Sequence, residues 1–215
     1  MALGLLASHG MEGLTISGLA KALDYTPGAL YRYFDSKDAL FAALQRRSIA
    51  HIRAQLALAD ADVASLAEAH ALEPRARALL TLAAVAQVYV HMLDDAPEQL
   101  KLIGYLLADP RNLVGQDGVV ANAPVLVGVL GEVAQRFAAA AECGALSPGD
   151  TGQRTVIFWS SLQGVVQLEK MTRFDPRMFD PRALGAQTAH ALLVGWGADA
   201  ATVSTAQALL TKRPQ

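Results

Sequence analysis

Ile16, Leu19, Ala20 and Leu23 fall at i, i+3, i+4 and i+7, and apolar residues return at this spacing along almost every segment of the chain. Alternating strand-like runs are absent, and Ala and Leu dominate. The pattern predicts an all-α protein. Breakers and caps divide it into helices over about residues 2–8, 16–23, 27–34, 37–58, 74–93, 97–107, 124–142, 150–172, 181–194 and 200–211. Thr15, Thr26 and Ser36 stand where their side chains would accept bonds from the free N–H groups of a first turn. Pro27 falls at a first helical position, where no N–H is needed. The pattern weakens between Ala59 and Glu73, which divides the chain into a domain of residues 1–58 and a larger one of residues 59–215. The stretch "DPRNLVGQDG", with two glycines and a proline, reads as a loop.

An apolar fraction of 53% with 18% charged residues excludes disorder, and 215 residues suffice for a substantial core. No uninterrupted apolar run approaches the roughly 18 residues of a membrane span. The opening "MALGLLASHG" lacks the basic n-region of a signal peptide. We therefore expect a cytoplasmic protein with no membrane partner. Cys143 is the only cysteine, which leaves no intrachain disulfide and no multi-cysteine metal site. Neither a metal nor a cofactor is expected. Residues 1–58 carry six Lys/Arg against four Asp/Glu, while acidic residues exceed basic ones in the remainder. Any surface for a polyanion should lie in the first segment.

That segment holds two predicted helices joined by "DYT", the second short and carrying Tyr31 and Tyr33 beside Leu30 and Phe34. Helical periodicity places Leu30 and Phe34 on one side and turns Tyr31 about 100° away, so the aromatics cannot all be core. The arrangement fits a helix-turn-helix, whose second helix offers its N-terminal residues to the major groove. Here "GLTISGLAKALDYTPGALYRYFDSKDALFAAL", Gly13 to Leu44, resembles the DNA-binding domain of TetR-type transcriptional regulators. The shared pattern is a glycine, a Thr cap, an amphipathic helix, a turn, Leu-Tyr-x-Tyr-Phe and a Ser-Lys pair. Carried over by position, the resemblance makes Leu30 and Phe34 core residues. It sets Pro27, Gly28 and Ala29 against bases, Tyr31 on base or backbone, and Tyr33 and Lys37 on phosphate. Thr15 and Thr26 would cap their helices and lie close to phosphate. Asp24 occupies a turn position where the family often has a glycine in the left-handed region.

The resemblance fades after about residue 58. In such regulators the C-terminal helical domain dimerises and encloses a small effector. For the dimer, the small residues Ser160, Ser161 and Gly164 with Leu168, and Ala189 and Leu193 on the following helix, would form a two-fold four-helix contact. The same faces also suit intrachain packing. For the effector, Tyr89, Met92, Tyr105, Phe137, Phe158, Trp159 and Gln163 are the large or polar-tipped residues on otherwise Ala/Leu/Val helices. Such residues fill cores as well. The scarcity of charge in these helices points to an apolar effector.

An enzyme finds little support. There is no glycine-rich phosphate loop after a strand, no HExxH and no GxSxG, and the five histidines are scattered. No catalytic residue is assigned. The reading that results is a homodimeric repressor that binds a palindromic duplex and is released by a small apolar ligand. The alternative is a helical protein-interaction module that does not bind DNA.

Overall fold

In a computed structural model, residue 4, residues 15–108 and residues 116–211 are described, residues 105–108 and 116–122 by their backbone alone. The helix expected over residues 2–8 lies outside the described residues, as does most of the "DPRNLVGQDG" stretch. Among the described residues all regular structure is helical: α1 Ile16–Ala22, α2 Pro27–Tyr31, α3 Lys37–Ala69, α4 Pro74–Asp95, α5 Pro97–Ala108, α6 Gln116–Glu142, α7 Thr151–Gln167, α8 Pro181–Gly195 and α9 Ala200–Thr211. A 3-10 turn, Leu168–Met171, follows α7. The chain forms two compact units, one of residues 1–51 with 92–127 and one of residues 52–91 with 128–215.

The expected caps are in place. Thr15 Oγ1 accepts from Gly18 N at 2.9 Å, Thr26 Oγ1 from Ala29 N at 3.3 Å and Ser36 Oγ from Ala39 N at 3.1 Å. Asp24 holds φ at 59°, which ends α1 abruptly. Ile16, Leu19 and Ala20 of α1, Leu30 of α2, and Leu40, Phe41, Ala42 and Leu44 of α3 bury together with Leu102. Leu23 and Phe34 pack partly against this cluster. A five-residue helix cannot hold itself in water. The side chain of Leu30, 6% exposed, anchors α2 where its own ladder cannot.

Four helices differ from expectation. Helix α2 ends at Tyr31, short of the expected Phe34, with Arg32 as its C-cap. Helix α3 runs on to Ala69 rather than ending near Leu58, because "ALADADVASLAEA" consists largely of helix formers and still repeats its apolar face. Val63 is buried there with Ala59 and Leu66 packed beside it. The break comes instead at His70–Glu73, where Ala71 adopts φ 47°. Helix α6 begins at Gln116, so Pro124 lies inside it and forgoes one ladder bond. Helix α7 stops at Gln167 and tightens into the 3-10 turn, short of the expected Thr172.

In the second unit, Val63 of α3, Leu80 and Ala84 of α4 and Ala206 of α9 form one buried group. Phe137 and Phe158 meet edge to face at 5.5 Å between centroids, and Trp196 closes on Phe137 at 5.4 Å. Arg154 is buried yet satisfied: Nη1 donates to Ser147 O at 2.8 Å, and the guanidinium lies 5.5 Å from the Trp196 ring centroid. Asp60 of α3 pairs with Arg136 of α6, and Arg53 with Glu132 at 2.6 Å. Gly197 holds φ at 99°, and a Cβ there would meet Ser147 Oγ at 2.2 Å, so only glycine fits this turn. By length and composition α4 and residues 123–142 could each cross a bilayer. Half of the apolar window in α4 is buried inside the protein, as in a core helix.

Replacing Asp24 with Ala should lower stability by about 1 kcal/mol, because a Cβ without a local polar partner is disfavoured at positive φ. Asp24→Gly should match or exceed the wild type in the same urea titration.

Candidate nucleic-acid interface and effector domain

Leu30 and Phe34 turn inward, which fixes where the rest of α2 and its following turn can point. Tyr31 is 51% exposed and Tyr33 79% exposed. Thr15, Thr26, Pro27, Gly28 and Lys37 are also exposed, and Ala29 is half-buried. Nothing lies within 4 Å of where a Gly28 Cβ would be, so this part of the helix is open to close approach by another molecule. The Lys37 ammonium sits 5.5 Å from the centroid of the Phe41 ring, which holds the charge at the start of α3. The exposed groups of this segment include two phenols, two cap hydroxyls, one ammonium and the N-terminus of α2. Tyr25 in the turn is exposed as well, at 59%. The sequence reading passed over Tyr25, although its position between Asp24 and the Thr26 cap already set it outside both helices.

In the second unit, the expected effector residues separate into distinct groups. Tyr89 and Gln163 are buried, and Trp159 is half-buried. Trp159 Nε1 donates to Tyr89 Oη at 3.0 Å, and Tyr89 Oη donates to Gln163 Oε1. Burial, opposed in part by the Trp159 bond, pushes the Tyr89 hydroxyl up to about 12. Phe137 and Phe158 instead belong to the aromatic group with Trp196. Met92 is 1% exposed and belongs to the first unit. The side chain of Tyr105 lies outside the described residues.

The face of α7 turned away from these groups exposes Val156, Ile157, Ser160 and Gly164, with Ser161 half-buried at its edge and Leu168 exposed at the start of the 3-10 turn. Apolar and small residues thus run along one exposed side at helical spacing. On α8 the expected contact residues Ala189 and Leu193 have no exposed surface in the single chain, because they face the interior of the unit. Ala183, Gln187 and Ala191 are exposed on that helix instead. Periodicity alone could not assign the two faces of α8, since both carry alanines and leucines.

Residues 1–44 match the family model of bacterial regulatory proteins, tetR family. That segment is similar to the tetR family of bacterial regulatory proteins. This agrees with the caps, turn and inward leucine described above. No curated protein matches the chain significantly. The fold is that of several solved TetR-type structures. A bacterial regulatory protein in the tetR family from Rhodococcus RHA1 superposes with a TM-score of 0.69 at 19% identity, over 92% of this chain and 94% of that one. The fatty acid degradation regulator FadR from Bacillus halodurans gives 0.65 at 20% identity, covering 90% and 95%. RolR in complex with resorcinol gives 0.60 at 20% identity, covering 100% and 91%. At such identities these likenesses establish the TetR-type fold, a helix-turn-helix segment followed by a helical domain.

The Tyr89 hydroxyl yields a test of the buried triad. Its folded-state value lies above the ordinary 10.0, so its contribution is complete below pH 10 and is lost as pH rises toward 12. Wild-type stability should fall over that interval more steeply than that of Tyr89→Phe, measured by urea unfolding at stepped pH. At neutral pH the same variant should lose about 1–3 kcal/mol, because Gln163 Oε1 and Trp159 Nε1 are left without their shared partner.

Proposed function

We propose that the protein is a cytoplasmic transcriptional regulator that binds a roughly palindromic DNA duplex as a two-fold dimer. We further propose that it represses until a small apolar ligand releases it. The observation that carries the DNA reading is the split of one short segment, with Leu30 and Phe34 packed inward and Tyr31, Tyr33 and Lys37 exposed. Phenol and ammonium groups on stiff or pinned arms suit phosphate oxygens, and the open approach at Gly28 suits a base edge. Thr15 and Thr26 would add hydroxyls near phosphate. Pro27 and Ala29 bring apolar contact, so readout would rest on shape and methyl contacts more than on hydrogen bonds.

The exposed stripe of α7 supports dimerisation. Ser160 and Gly164 permit close approach, flanked by Ile157 and Leu168, with Ser161 at the margin. Two copies related by a two-fold axis would cover apolar surface that one copy leaves in water. Ala189 and Leu193 would support the contact from beneath, by holding α8 in place. For the effector we retain Tyr89, Trp159 and Gln163 as the polar end of a site within the second unit, with Phe137 and Phe158 as its apolar candidates. RolR is described with resorcinol, and FadR as a regulator of fatty acid degradation. Both precedents are in keeping with an apolar or aromatic effector here. Release requires only that the ligand prefer the conformation that does not fit DNA, and a few kcal/mol of preference is enough.

Selection from a random duplex pool should recover palindromes with half-sites about one helical turn apart. Recovery of no enriched duplex would favour a protein-interaction module instead. On the selected duplex, Lys37→Ala should weaken binding and flatten the salt dependence by roughly one phosphate. Tyr31→Phe should weaken binding with the melting temperature nearly unchanged. Gly164→Leu should leave the monomer folded, since no atom lies within 4 Å of a Cβ there. In sedimentation it should nevertheless shift dimers to monomers.

A further inference from the structure

Trp159 and Gln163 stand four residues apart on α7 and so share a face, and both reach Tyr89 of α4. The bonds among the three run in one direction. An indole nitrogen can only donate, so Tyr89 Oη accepts from Trp159 Nε1 at 3.0 Å and must pass its own hydrogen on. It passes it to Gln163 Oε1. With the amide turned the other way, the nitrogen would donate to a hydroxyl whose own hydrogen then had no acceptor in the triad. Burial holds the hydroxyl protonated far above neutral pH, which keeps it a donor.

One donor group is left over. The Gln163 amide carries its N–H bonds on Nε2, and that nitrogen meets no acceptor among the described residues. The whole residue is only 5% exposed. Among the described residues only His51 Nε2 is both sealed from solvent and without a partner, so the Gln163 nitrogen keeps surface that a second molecule can reach. Amides buried this deeply are ordinarily satisfied. Both oxygens of the triad already accept a hydrogen bond, so what it offers a visitor is donation. None of the three side chains is charged at neutral pH, and an anion placed here would lose its hydration with no opposite charge from the triad in return. A few placed polar groups of this kind are what fix the orientation of a ligand in an otherwise apolar site.

We propose that Gln163 Nε2 is the polar contact of the effector site, and that the effector is a neutral, largely apolar molecule whose polar group is a hydrogen-bond acceptor of the ketone, aldehyde or ester type. This rests on the reading of Tyr89, Trp159 and Gln163 as the polar end of that site. A ligand of the same shape without the acceptor would displace water from the amide and leave it unpaired, which is the costlier state. Discrimination would come from one nitrogen, whose orientation Tyr89 fixes through the amide oxygen and Trp159 fixes through Tyr89.

The test uses the full-length protein and two matched pairs of probes, acetophenone with α-methylstyrene and cyclohexanone with methylenecyclohexane, in which a methylene group replaces the carbonyl oxygen. The side-chain amide signals of Gln163 and the indole signal of Trp159 are followed by NMR. At least one ketone should bind saturably and move both signals, and its alkene partner should bind about tenfold more weakly. Gln163→Met should erase that difference. The contrast between ketone and alkene in the wild type, read on the Trp159 indole, stands whether or not this variant folds. Equal binding of ketone and alkene, or ketone binding that leaves the Gln163 amide in place, would overturn the proposal while the effector reading survives. If neither ketone moves the indole or the amide, the effector reading at this site falls and the proposal with it. Gly164 adjoins Gln163 on α7, so the contact between copies is the rival claimant for the amide. A ketone preference that disappears in Gly164→Leu would assign the nitrogen to that contact and overturn the proposal.

Discussion

The burial of Leu30 is the contact on which the proposed interface depends. A helix of five residues has too few internal bonds to persist alone, so the orientation of α2 is set by what its one buried side chain touches. With Leu30 set among Ile16, Leu19, Ala20, Leu40 and Phe41, and Phe34 resting against the same group, the remaining directions are settled by helical geometry. Tyr31 and Tyr33 are exposed because Leu30 is not. Removal of the anchor would therefore disorder the outward groups without touching any of them.

The caps perform a similar task at lower cost. Thr15, Thr26 and Ser36 each accept one orphan N–H, and each sets the residue at which a helix begins. The left-handed Asp24 turns the chain between the first two helices. Together these local devices define the turn geometry through residues close in sequence. This is why the segment carries so much information in so few residues.

That density explains which parts were legible in the sequence. The caps, the inward pair Leu30 and Phe34 and the helical class could be read because each depends on residue type at fixed local spacing. The end of α3 could not, because the residues after Leu58 differ little in propensity from those before, and only burial of Val63 shows the face continuing. The start of α6 was hidden by Pro124, which ordinarily marks a helix start and here sits in an interior. On α8, alanines and leucines on both sides concealed that Ala189 and Leu193 face inward.

The central claim is that Tyr31 and Tyr33 meet DNA while Leu30 holds them in place. The most direct measurement is 19F NMR of the protein with fluorotyrosine at its five tyrosines, titrated with a selected palindromic duplex. The account predicts that the Tyr31 and Tyr33 resonances shift saturably, whereas that of Tyr89, buried in the second unit, responds far less. A duplex that binds tightly yet leaves the Tyr31 and Tyr33 signals in place would contradict it.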